Sequence, residues 1–74
     1  MRTQDLKKEA TYKDILTYKY GTLTFKGKSK EINFGYNSFE KCYLFTYTDE
    51  FLPKEMNNSD KWIRETHIKN LIKQ

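Results

Sequence analysis

The chain holds one cysteine, one proline, three glycines and one histidine in 74 residues, and only two of its fourteen basic residues are arginine. A lone cysteine, Cys42, excludes an internal disulfide and any cysteine-based zinc site within one chain. Small exported domains usually rely on several disulfides, so the expected compartment is the reducing cytoplasm. Unbroken apolar runs are only a few residues long, such as Tyr43-Leu44-Phe45, so no membrane span and no membrane partner is expected. The opening residues Met1-Arg2-Thr3-Gln4-Asp5-Leu6-Lys7-Lys8 likewise lack the apolar stretch of a signal peptide. Asn57-Asn58-Ser59 fits the glycosylation pattern, which is read as coincidence in a cytoplasmic chain.

Aromatic rings are abundant. Five Phe, six Tyr and one Trp make up 16% of a chain whose mean hydropathy is strongly negative. A domain this short buries roughly 60% of the surface its unfolded chain exposes. Each ring can remove about 150–250 Å² from water, so a small aromatic core suffices to fold one domain over residues 1–74. The net charge of +4 lies entirely in residues 1–37, which carry eight Lys/Arg against four Asp/Glu; residues 38–74 carry six of each. The wealth of Lys, Asn, Ile and Tyr fits an AT-rich genome.

Residues 1–10 are polar and read as an N-terminal segment with a short helix capped by Thr3. Thr11-Tyr12-Lys13-Asp14 has capping-box spacing and suggests another helical start. Leu16, Tyr18 and Tyr20 then alternate as in a strand, and Leu23 and Phe25 alternate one residue out of phase, with Gly21 at the slip. Lys26-Gly27-Lys28-Ser29 reads as a hairpin turn, with Ile32, Phe34 and Tyr36 on the return strand and a further turn at Asn37-Ser38. Tyr43, Phe45 and Tyr47 alternate against Cys42, Leu44 and Thr46. Residues 48–60 read as a loop broken by Pro53, residues 61–65 around Trp62 as a last strand, and Ile68, Leu71 and Ile72 as a short helix capped at Thr66. One helix over residues 59–73 is the alternative there, although it strands Trp62.

The expected fold is mainly β, a small antiparallel SH3-like or OB-like barrel of four or five strands. An α+β arrangement, with a C-terminal helix packed on an antiparallel sheet, is the alternative. The expected core includes Leu16, Leu23, Phe25, Ile32, Phe34, Leu44 and Phe45. Thr24-Phe25-Lys26-Gly27-Lys28, Phe45-Thr46-Tyr47 and Leu71-Ile72-Lys73-Gln74 together resemble, at the level of pattern, small basic archaeal chromatin proteins with an SH3-like barrel. The resemblance covers less than half the chain and no diagnostic motif. It departs at Phe51-Leu52-Pro53-Lys54-Glu55, where that pattern has a glycine-rich turn.

No catalytic constellation stands out. The stretch from Gly21 to Ser29 fails the phosphate-loop pattern, with five residues between its glycines where four are required. His67 has Glu65 nearby, but two residues apart on a helix do not face one another, so no orienting carboxylate is visible. Cys42 alternates with Tyr43 and reads as a small buried apolar residue. Asp49, Glu50, Glu55 and Asp60 lack the spacing of a calcium loop. The expectation is a non-enzyme without metal or cofactor that binds a host protein or nucleoprotein complex. Its size and composition are similar to those of small phage or mobile-element accessory proteins that dock on and inhibit a host machine, such as a defence nuclease. Exposed Tyr and Trp anchor protein interfaces, and Tyr36, Tyr47 and Trp62 are the candidates. The alternative is a small basic nucleic-acid-binding protein, with Lys26, Lys28 and Lys30 on phosphates and Tyr18 and Tyr20 stacking on bases. Scarcity of arginine counts against it. The oligomeric state is open at this level.

Overall fold

The computed structural model of the protein describes residues 2–14, 16–18, 20–51, 53 and 59–74. Five antiparallel strands form one sheet: β1 (Thr11–Asp14), β2 (Gly21–Gly35), β3 (Ser38–Asp49), β4 (Ser59–Arg64) and β5 (Leu71–Lys73). The spatial order is β4-β3-β2-β1-β5. The first four strands make a simple meander, without the Greek-key crossing of an OB-like barrel. A single helical turn, α1 (Glu65–Ile68), carries the chain from one sheet edge to the other. Among the described residues no pairing joins β4 to β5, so the sheet curls without closing as a barrel.

The core lies on one sheet face. Tyr12, Leu23, Phe25, Phe45, Ile63, Ile68 and Leu71 are buried together. The ring of Phe45 meets Tyr12 edge-on at 6.1 Å and Phe25 at 5.3 Å. The buried hydroxyl of Tyr12 accepts a hydrogen bond from the Lys7 amide at 2.9 Å. Gly21 opens β2 because nothing larger fits: a Cβ there would stand 2.3 Å from the Tyr47 ring and 2.5 Å from the Thr48 carbonyl oxygen.

Several sequence expectations are corrected here. Lys26-Gly27-Lys28 is not a hairpin turn but a bulge inside β2: Phe25 pairs with Phe45 and Ser29 with Tyr43, leaving three residues opposite Leu44. Gly27 supplies the left-handed backbone (φ 79°) that either a bulge or a turn requires, so its presence does not tell them apart. The true turn is Tyr36-Asn37, with Asn37 left-handed at φ 55°. Thr11-Tyr12-Lys13-Asp14 is a strand, not a helix start. The carboxylate of Asp14 does cap backbone amides, but those of Leu16 and Thr17 in the turn that follows. Leu16, Tyr18 and Tyr20 consequently lie in a connection rather than on a strand, and Leu16 is 65% exposed. Phe34 also leaves the expected core (42% exposed), while Ile32 and Leu44 are half-buried. The polar start forms only a 3₁₀ turn at Thr3–Asp5, capped at Arg2 rather than at Thr3. At the other end Leu71 and Ile72 belong to β5, and α1 stops at Ile68. The expected loop at 48–60 is strand at both ends; residues 52 and 54–58 lie outside the described residues.

Candidate functional site

Beyond the core, β2 and β3 continue as a two-stranded arm. Its pairs Glu31 with Lys41, Ile32 with Glu40 and Asn33 with Phe39 end at Gly35 opposite Ser38, beyond the Cys42–Arg64 pair where β4 ends. The arm helps make the molecule elongated, 39 × 24 × 22 Å. Its end carries a ring on each face and one at the apex. Tyr36, at the apex, is 97% exposed. Phe39 alternates with the core-facing Tyr43 and Phe45 but lies past the core, where it is 61% exposed. Phe34 lies on the opposite face, because the Arg64 guanidinium, next to Cys42, sits 3.7 Å above its ring.

Below the tip, cations and rings pair off. Lys30 lies over Trp62 at 4.3 Å and Lys41 over Tyr43 at 5.6 Å. Nε of Arg64 is 3.6 Å from a Glu40 carboxylate oxygen. Each cation placed over a ring contributes about 0.5–1 kcal/mol at an exposed site and covers the face that a base would stack on. Cys42 is buried on this side, as its alternation implied. Burial pushes its thiol up, with Glu40 adding to the effect against the opposing pull of Arg64 and Lys30. A thiol so placed is a packing group rather than a nucleophile.

Of the three expected anchors, the arm displays Tyr36, and Trp62 is partly exposed on β4. Tyr47 is half-buried: its ring packs 5.0 Å from Tyr18 and its hydroxyl donates to Asp49 at 3.2 Å. Burial and that bond push the hydroxyl up. The proposed nucleic-acid residues do not form one platform. Lys26 is held by Glu9 at 3.2 Å and Lys30 by the Trp62 ring, and Lys28 alone of the three projects from the bulge without such a contact among the described residues. Tyr18 and Tyr20 precede β2 at the end away from the tip, Tyr20 beside Phe51 at 5.4 Å. Sequence reading missed Phe34 and Phe39 as displayed rings. The signal was present in Phe34-Gly35-Tyr36-Asn37-Ser38-Phe39, an aromatic-flanked turn.

A second cluster corrects the reading of His67. Asp14, fully buried on β1, stands 2.5 Å from Nε2 of His67 on α1 and also accepts the amides of Leu16 at 2.9 Å and Thr17 at 3.4 Å. The orienting carboxylate that seemed missing is thus supplied from 53 residues away, where sequence proximity cannot reveal it. Burial pushes the carboxyl of Asp14 up. The His67 bond, the two amide bonds and the attraction of His67 outweigh that, so it titrates below the ordinary carboxylate range. Beside the pair lies a groove of about 180 Å³ lined by Thr17, Tyr18, Trp62, Ile63, Arg64 and His67. Among the described residues no three of His, Cys, Asp and Glu are placed to hold a metal, and no helix is long and apolar enough to cross a membrane. No family model, curated protein or solved structure matches the chain.

Proposed function

We propose that this protein is a non-catalytic docking module whose β2–β3 arm inserts end-on into an apolar cleft of a larger host protein. The observation that carries this reading is the tip, with Phe34 on one face, Phe39 on the other and Tyr36 at the apex. A flat contact would use one face of a ribbon, whereas rings on both faces and at the apex are desolvated together only in a cleft. Large rings buried at the centre of an interface are the usual anchors, worth about 2 kcal/mol or more each. An inhibitor that blocks its partner by occupancy needs no more than this. Nucleic-acid binding is the weaker reading because, of its three candidate lysines, Lys26 is already matched to Glu9 and Lys30 to the Trp62 ring, which leaves Lys28 alone for phosphate.

The test places a photo-crosslinking amino acid at Tyr36 and, as a control, at Ile72 on β5, and exposes both proteins to a low-GC bacterial lysate at about 0.3 M salt, where surface charges are strongly screened. The expected result is a protein adduct from position 36 only, insensitive to nuclease. Tyr36→Ser with Phe39→Ser should then weaken that partner's binding by at least about 30-fold. Adducts that vanish with nuclease, or equal labelling from position 72, would overturn the proposal.

A further inference from the structure

The two sheet edges are not alike. β5 has three residues, a length that by itself limits pairing with other chains. β4 has six, is paired to β3 without a register shift, and carries Trp62 and Ile63 near its end. Among the described residues no backbone hydrogen bond reaches its outer side. A long regular edge of this kind offers a row of amides and carbonyls that water satisfies in the monomer and that another extended chain can pair with.

The sequence of β4, Ser59-Asp60-Lys61-Trp62-Ile63-Arg64, selects which chain that is. Laid antiparallel on a copy of itself and centred on Trp62, it sets Asp60 of each copy opposite Arg64 of the other, twice by symmetry. A shift of one residue in one direction sets Lys61 against Arg64 and Asp60 against Glu65, both repulsive. Cross-strand charge pairs of opposite sign stabilise a register and like pairs disfavour it. Asp60 accepts the Thr46 hydroxyl at 3.4 Å, and Arg64 reaches Glu40 through Nε with its guanidinium over the Phe34 ring, so both side chains lie over the sheet and turn outward to make the pair. On the inner side, Lys61 of each copy comes opposite Ile63 of the other, where the groove between β4 and Thr17-Tyr18 gives the incoming side chain room.

We infer that β4 pairs with β4 of a second copy, in the register centred on Trp62, to make a two-fold dimer with a continuous ten-stranded sheet. The inference is independent of what the hairpin tip binds. Sedimentation from about 1 µM to about 1 mM should show a concentration-dependent dimer. Asp60→Arg, which sets cation against cation at both ends of the pairing, should weaken it by at least about tenfold, and adding Arg64→Asp in the same chain should restore it. In the unmodified protein the β4 amides should exchange more slowly at the high end of that range than at the low end. This measurement decides the question even where a variant folds poorly. A protein that stays monomeric to about 1 mM, a dimer indifferent to Asp60→Arg, or β4 exchange that ignores concentration would overturn the inference.

Discussion

Asp14→Ala is expected to leave the protein largely unfolded in dilute buffer. Asp14 is completely buried and binds His67 and two backbone amides, so its loss strands three donors at once. Leaving a buried donor without its acceptor costs about 1–3 kcal/mol. A chain of this length has a total stability on the order of 4–11 kcal/mol, so the deficit consumes much or all of it. Urea titration followed by circular dichroism measures the loss. Asp14→Asn keeps an acceptor for the two amides and should lose less. The pH dependence follows from the sign of the shift. The carboxyl is held below its ordinary range in the folded protein. Its contribution is therefore complete above the unfolded value of about 4 and is lost as pH falls through that value and then through the folded one. Wild type should accordingly lose stability steeply below about pH 4, and Asp14→Asn should lack this component of the acid limb. An alanine variant as stable as wild type would show that Asp14 is not the clamp argued for here.

Phe45→Ala should cost about 3–5 kcal/mol, the range for truncating a buried ring. Its ring is fully buried and touches both Tyr12 and Phe25, so collapse around the cavity is resisted from two sides. Leu44→Ala, one residue away on the opposite face and half-buried, should cost clearly less. The comparison tests the facing of β3 directly: equal losses would mean that the strand's inner and outer faces have been assigned wrongly.

The mainly β, antiparallel class was legible because period-2 alternation over residues 42–47 and around Phe25 is a local property, and β2 and β3 carry most of it. The strand at Trp62 was legible in outline, read over residues 61–65 where it runs Ser59–Arg64. Boundaries were less so, for identifiable reasons. Gly27 provides a left-handed residue wherever one is needed, and only the register with β3 shows that a bulge uses it. Thr11-Tyr12-Lys13-Asp14 carries real capping chemistry, but its direction depends on whether Tyr12 finds a core, which is a tertiary fact. Ile68, Leu71 and Ile72 have helical spacing, yet Leu71 pairs with Asp14 across β1 and the helix ends at one turn. The candidate site divides in the same way. Tyr36 was readable as a ring at a chain reversal and Trp62 as a ring on a short last strand, whereas the union of Asp14 with His67 follows from the pairing of β1 with β5, which brings the two ends of the chain together.

That union also has a kinetic meaning. The β2–β3 arm joins residues close in sequence, so its formation closes short loops and costs little chain entropy. β1 meets β5 only when Tyr12 finds Lys73, after nearly the whole chain has been drawn together. The slow step of folding should therefore be the docking of the α1–β5 tail. Its bond from His67 to Asp14 should be among the last to form.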